Sequence, residues 1–194
     1  MNADFTGFVL AGGKSSRMGT AKFALKFGGV SFLENAVNAL SGVCKIVKIV
    51  LNQSQSLETI NPVVRDVFGE RGANGGIHAA LSNCETEFAV VLAVDLPFVN
   101  ASAIENLARI ALGAVQISAV VPVQTNKKPQ PLCAVYRVKD CLPPLENLLR
   151  ENNSASVRDF LALIETKYIP ARDLDENEKL LFNVNTPIDF GKIV

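Results

Sequence analysis

The sequence predicts an α/β fold built around a mostly parallel sheet, and three observations carry that prediction. Short apolar runs alternate with segments of helical periodicity along the whole of the 194-residue chain, as in strands joined by crossover helices. The runs are apolar almost without interruption, which suits strands covered on both faces. The glycines, amides and carboxylates that could bind a ligand fall just after these runs, where open α/β sheets gather their ligands.

Phe5 to Leu10 reads as the first strand and runs into a glycine-bearing loop. Phe32 to Leu40 places Phe32, Leu33, Ala36, Val37 and Leu40 at helical spacing, and Ser41-Gly42 closes the segment. Ile46 to Leu51, Val63 to Val67 and Phe88 to Val94 read as further strands, with a glycine turn at 72–76 and a helix opening at Ile77. Ala101 to Leu112 carries an apolar stripe of Ile104, Leu107, Ala108 and Ala111. Ser118 to Val123 and Leu132 to Tyr136 read as strands joined by a polar, proline-flanked loop or hairpin, Thr125 to Pro131. Pro143-Pro144 is expected to start a helix, since proline is tolerated in a first turn. Ser154 is expected to cap the next helix, with Val157, Phe160, Leu161 and Ile164 as its apolar face. A final helix starts at Thr186 or Pro187. With no repeat, low-complexity tract or flexible linker in view, residues 1–194 read as one domain of ordinary size.

Charge narrows the choice of ligand. Lys plus Arg equals Asp plus Glu at 19 each, so no global field draws the chain to nucleic acid or membrane. An anionic ligand must then be met by local charge. No run approaches the roughly 18 to 20 apolar residues of a membrane span, and the N-terminus lacks the pattern of a signal peptide, so a cytoplasmic location is expected. Cys44, Cys84, Cys133 and Cys141 form no Cys-x-x-Cys, and His78 is the single histidine. Buried small hydrophobes in a reducing compartment are expected, not a zinc set or a redox pair.

The local charge lies in Leu10-Ala11-Gly12-Gly13-Lys14-Ser15-Ser16-Arg17-Met18-Gly19-Thr20-Ala21-Lys22. Gly12, Gly13 and Gly19 lack Cβ atoms, so their N–H groups can approach anionic oxygens closely, and Lys14, Arg17 and Lys22 supply charge. This is the layout of a nucleotide phosphate cradle. A Walker A motif would need glycine at position 8, where Phe8 stands, and Gly-x-Gly-x-x-Gly does not fit either.

Asp95 interrupts the apolar run Val90 to Val94 and precedes Leu96-Pro97-Phe98, so nothing beside it in sequence neutralises it. A carboxylate emerging there requires a partner. Mg²⁺ bridged to nucleotide phosphates is one; capping a helix near Asn100 or Ala101, or pairing with a lysine, are the others. Asp66 at a strand end suits a ribose hydroxyl or base edge, or equally a turn in which it accepts backbone N–H bonds. Asn52 can read a base through its paired donor and acceptor, or serve a turn. His78 has no recognisable triad partner in the sequence. Asn183 and Asn185 share one face of an extended segment, and Asn185 or Thr186 could instead cap the last helix.

The pattern Leu-x-Gly-Gly-x-Ser-x-Arg-Met-Gly-x-x-Lys at 10–22 resembles the signature of the molybdenum cofactor guanylyltransferases, within the wider set of nucleotidyltransferases that build nucleotide-sugars and related diphosphates. Ala93-Val94-Asp95-Leu96-Pro97-Phe98 resembles that family's metal-binding turn. Pro131 to Tyr136 and Asn183-Val184-Asn185-Thr186-Pro187 resemble its later motifs. The resemblance implies a Rossmann-like three-layer sandwich of the nucleotide-diphospho-sugar transferase type. It assigns nucleotide contacts to Leu10, Ala11, Gly12, Gly13, Gly19, Lys22, Asn52, Asp66 and Asp95, catalytic roles to Arg17, Lys22 and Asp95, and Mg²⁺ to Asp95. Molybdopterin contacts fall on Gly76, Asn183 and Asn185. The implied substrates are GTP and molybdenum-molybdopterin, with transient contacts to the proteins that deliver the pterin and mature molybdoenzymes. The sequence departs from the family at Ala21, Ala73 and Asn74, where aspartate, proline and leucine are usual. Cytidylyl transfer to molybdopterin, nucleotidyl transfer to a sugar phosphate and a non-catalytic nucleotide-binding module stay open as alternatives.

Overall fold

The computed structural model describes residues 5–12, 22–69, 71–177 and 179–193. In chain order its strands are β1 (Phe5–Leu10), β2 (Lys26–Phe27), β3 (Val30–Ser31), β4 (Ile46–Leu51), β5 (Val63–Arg65), β6 (Phe88–Ala93), β7 (Ala119–Val123), β8 (Cys133–Arg137) and β9 (Thr166–Pro170). The helices are α1 (Phe32–Ser41), α2 (Ala73–Ser82), α3 (Ala101–Leu112), α4 (Val138–Glu151), α5 (Val157–Leu161) and α6 (Pro187–Gly191). Seven strands form one sheet in the order β5-β4-β1-β6-β8-β7-β9, while β2 and β3 make a separate small hairpin.

Strands β5, β4, β1 and β6 are mutually parallel, with Leu10 opposite Val50 on one side and Ala93 on the other. β8 runs antiparallel to β6 and β7, and β7 pairs in parallel with β9. The sheet is therefore mostly parallel, as expected.

Period-two alternation divides the strand residues between two cores. On one face Phe5, Val9, Ile49, Leu51, Val90 and Leu92 pack with α1, α3 and the late segment Leu180, Leu181 and Val184. On the other, Phe8, Leu10, Val50, Ala89 and Val91 pack with α2, α4 and α5. Both faces of β1 and β6 are covered, so every residue in them is buried. That burial is the physical reason these strands read as unbroken apolar runs. The result is a three-layer, Rossmann-like sandwich.

Helix ends follow their side chains. Ser31 with Glu34, Ser156 with Asp159 and Thr186 with Asp189 form capping boxes at α1, α5 and α6, and Asn100 caps α3 by accepting the Ala103 N–H.

Five expectations need correction. β5 stops at Arg65, because Asp66 turns its carboxylate onto the Phe68 N–H at 2.7 Å. α2 starts at Ala73 and takes Gly75 and Gly76 into its first turn, so the helix does not wait for Ile77. α4 starts at Val138, whose N–H bonds Glu87 O, and Pro143 and Pro144 lie inside it. There the buried stripe Cys141, Leu145 and Leu149 outweighs the local cost of proline. Ser154 bonds Asn152 in a turn, and the cap two residues on is Ser156. Ile164 lies past the end of α5 but packs on the same core.

The hairpin of β2 and β3, with Gly28 and Gly29 both at positive φ, and the half-exposed edge strand β9 are additions the apolar pattern did not announce. Cys44, Cys133 and Cys141 are buried and all four cysteines are free. Burial pushes each of those three thiols up to about 12. Among the described residues no helix is long and apolar enough to cross a membrane.

Candidate active site

The carboxyl ends of β5, β4, β1 and β6 open onto one cleft of about 840 Å³. Leu10, Ala11 and Gly12 enter it from β1, and Asn52, Gln53 and Ser54 from β4. Asp66 follows β5, Asp95 follows β6, and Lys22, Leu132 and the α2 residues Ala73 and Gly76 complete its wall. This clustering follows from parallel pairing: four strands running the same way must deliver their loops to the same edge.

Ala11 and Gly12 both donate their N–H to Val50 O at 3.0 Å, so the chain leaving β1 stays against β4. A Cβ at Gly12 would stand 2.7 Å from Asn52 Oδ1, and glycine lets the amide lie flush on the main chain. Asn52 itself is fixed through its backbone. Its N–H donates to Gln55 Oε1 at 3.0 Å and its carbonyl accepts from Arg65 Nη1 at 2.8 Å. Gln53 Nε2 reaches Asp66 O at 3.2 Å, tying the loops after β4 and β5 together.

Asp66 is only 4% exposed. Burial raises its carboxyl above the ordinary aspartate value, against the lowering effect of the Phe68 N–H and of His78. The first turn of α2 presses on it: a Cβ at Gly75 would lie 2.7 Å from both carboxylate oxygens and 2.8 Å from Phe68 O. Asn74 turns elsewhere, giving its amide N–H to Ala155 O. His78 is buried on α2 between the edge of Phe68 and Glu146, with Nε2 3.3 Å from Glu146 Oε1, and it does not line the cleft.

At the other end of the cleft Asp95 has found a neutralising partner far away in sequence. Lys22 Nζ donates to Asp95 Oδ2 at 2.9 Å and to Asn185 Oδ1 at 2.7 Å. Of the two protein roles open to Asp95, the lysine pair is the one present, and α3 is capped by Asn100 instead. Asn185 arrives because the late segment folds back: Val184 N–H donates to Asp95 O at 2.9 Å, and Thr186 caps α6.

Gly76 lines the cleft against Leu10, whereas neither the half-buried Asn183 nor the exposed Asn185 lines it, Asn185 reaching its edge only through Lys22. Gly13, Lys14, Arg17, Gly19 and Ala21 lie outside the described residues. Gln53, Ser54 and Leu132 were not singled out in the sequence, although each sits directly beside a strand end. Position was the available signal. Leu132 is held in place by its neighbour, since the buried Tyr136 hydroxyl donates to Pro131 O at 2.7 Å.

Among the described residues no group of three His, Cys, Asp or Glu side chains gathers to hold a metal ion. A single carboxylate at the cleft edge suits a hard cation that brings most of its oxygen ligands with it, as Mg²⁺ does with phosphates and water. It does not suit a zinc site, which needs several protein ligands.

A family model for the MobA-like NTP transferase domain matches residues 7–168. A protein named "Probable molybdenum cofactor guanylyltransferase" from Carboxydothermus hydrogenoformans is 33% identical, covering 96% of this chain and 93% of that protein. One of the same name from a Geobacillus species is 31% identical and covers 97% of each. Molybdopterin-guanine dinucleotide biosynthesis protein A from Archaeoglobus fulgidus has the same architecture, with TM-score 0.82, 26% identity and coverage of 97% of this chain and 96% of that one. From strand order, cleft and these likenesses together, the chain belongs to the MobA-like NTP transferase family.

Proposed function

We propose that this protein transfers GMP from GTP to the terminal phosphate of molybdenum-bearing molybdopterin, releasing pyrophosphate and forming the guanine dinucleotide cofactor. The observation that carries the reading is the meeting of Lys22 and Asp95 at the end of a cleft whose opposite wall holds Asn52 and Asp66. That is a charged end for phosphates and a polar end, with Asp66 buried in it, for a nucleoside. The names borne by the relatives supply the base and the acceptor.

An oxygen of the acceptor phosphate attacks the α-phosphorus of GTP. A P–O bond forms there, the bond to the β-phosphate oxygen breaks, and pyrophosphate leaves with the electron pair. The nucleophile is already an anion, so no general base is needed and the absence of His78 from the cleft is no obstacle. The protein's part is to position the reactants and offset charge. Lys22 and Arg17 bind phosphate oxygens, and the N–H groups of Gly13 and Gly19 line the phosphate path; the Gly12 N–H is already bonded to Val50 O, so Gly12 serves the nucleotide by its missing side chain, which leaves room for Asn52. Asn52 and Asp66 orient the nucleoside, while Gly76, Asn183 and Asn185 serve the acceptor. Asp95 would hold Mg²⁺, which when bound adds positive charge at the reacting oxygens. We place the reaction in the cytoplasm, with transient docking to the proteins that supply the pterin and receive the product.

The test is pyrophosphate release from GTP, CTP, ATP and UTP, each with and without molybdate-loaded molybdopterin, in the presence of Mg²⁺. Release from GTP alone, and only with the pterin, is expected. Preference for CTP, or no release with verified substrate, overturns the reading. Asp95→Asn should lose at least a hundredfold in turnover on this account, with its melting temperature little changed.

A further inference from the structure

We propose that Lys22 is the resident counter-ion of Asp95 and that Asn185 is the residue that holds it there, so that a divalent cation gains Asp95 chiefly in company with nucleotide phosphates. This deepens the functional reading above and rests on it for the identity of the nucleotide.

The ammonium group of lysine has three N–H donors. In this structure one goes to Asp95 Oδ2 at 2.9 Å and one to Asn185 Oδ1 at 2.7 Å. The ion pair is shielded, with side chains 21% and 20% exposed, so bulk water and salt weaken it less than they would a surface pair. Asn185 is exposed, and it is anchored through the main chain. On one side Val184 N–H is bonded to Asp95 O at 2.9 Å, and on the other Asn185 N–H donates to Asp189 Oδ2 at 3.2 Å, within the capping box of α6. The late segment is thus fastened to the Asp95 turn and to a helix start, with the Asn185 amide oxygen left to meet Lys22.

An ammonium and a divalent cation on one carboxylate repel each other at close range. A cation arriving alone must therefore compete with Lys22 for the Asp95 carboxylate while Asn185 keeps the ammonium beside it, with nothing offered to Lys22 in return. A cation arriving with a triphosphate brings oxygens that can take Lys22 over. In this scheme Asn185 is a positioning residue: it acts through Lys22, and its effect is felt at Asp95.

The experiment is a titration of nucleotide-free protein with Mn²⁺, the free ion being read by electron paramagnetic resonance. Lys22→Met, which keeps most of the aliphatic stem, should bind Mn²⁺ about fivefold more tightly than wild type, the scale of losing one partly exposed ion pair. Asn185→Ala should gain about twofold, and adding Asp95→Asn to either should abolish the gain. With a saturating non-hydrolysable GTP analogue the advantage of Asn185→Ala should vanish, because Lys22 has then left Asp95. Unchanged Mn²⁺ affinity in both single variants overturns the proposal. A raised acceptor KM in Asn185→Ala with wild-type Mn²⁺ affinity also overturns it, assigning Asn185 to the acceptor alone. Should Asn185→Ala fail to fold, Asn185→Ser gives the same reading. Failure of GTP turnover in the wild type would overturn guanylyl transfer and leave the Mn²⁺ comparison standing.

Discussion

Replacing Gly75 by alanine is a sharp test of how the nucleoside end of the cleft is built. Gly75 is the third residue of α2, and in an ordinary helix Gly→Ala stabilises by about 1 kcal/mol through backbone entropy. Here the added Cβ would stand 2.7 Å from both oxygens of Asp66 and 2.8 Å from Phe68 O. None of these is the free end of a flexible chain: Asp66 is buried and accepts the Phe68 N–H, and Phe68 O belongs to the same turn and accepts the Arg71 N–H. Forcing such a contact costs roughly 1 to 3 kcal/mol, as other overpacking does. After the helix gain the net loss is about 1 to 2 kcal/mol at the upper half of that range, or about 2 to 8 °C in melting temperature for a domain of this length. Gly76→Ala is the internal control, since its Cβ would meet the side chain of Leu10, with Cδ1 at 3.2 Å, Cδ2 at 3.7 Å and Cγ at 3.9 Å. Thermal and urea unfolding of both variants, followed by GTP titration, should find Gly75→Ala less stable and weaker in binding and Gly76→Ala closer to wild type. A Gly75→Ala variant that melts above wild type with unchanged GTP affinity would refute the packing of α2 on Asp66.

Other expectations follow from the same geometry. Gly12→Ala places a Cβ 2.7 Å from Asn52 Oδ1 and 3.1 Å from Asn52 N, so it should weaken GTP binding about tenfold while costing only about 1 kcal/mol in stability; calorimetric titration beside a urea melt separates the two. The raised carboxyl of Asp66 sets a pH dependence. Above the unfolded value of 3.8 the unfolded chain releases this proton while the folded protein keeps it, so Asp66 contributes stability that is lost as pH rises through its folded pKa. The difference in urea midpoint between Asp66→Asn and wild type should therefore move in favour of the variant as pH climbs from 3.5 to neutrality. A difference that is flat or of opposite slope would remove burial as the governing effect.

Much of the sheet was legible because burial on both faces leaves a strong mark in one dimension. β1, β4 and α3 were read to the residue, since their apolar periodicity coincides with their packed surfaces. Elements whose stability comes from elsewhere were misread. The two prolines of α4 imitate a helix start, and only the stripe Cys141, Leu145 and Leu149 packed on the second core shows why the helix runs through them. Gly75 and Gly76 imitate a turn, while in space they are the small residues that let α2 approach Asp66 and Leu10. β9 is half-exposed and sits at the sheet edge, where alternation is weak and pairing with β7 decides.

The sequence by itself determined the α/β class and the strand ends at which Asn52, Asp66 and Asp95 stand, because strand periodicity and polar residues after apolar runs are local properties of a chain; Lys22 was picked out by the family resemblance of the loop that precedes it. Only the tertiary structure decided who meets whom. Lys22 and Asp95 are separated by 73 positions, and Lys22 and Asn185 by 163. Their meeting depends on the parallel order of β5, β4, β1 and β6 and on the late segment folding back onto the Asp95 turn. Contacts at such separations are set by the packing of whole layers, and no local pattern of residues encodes them.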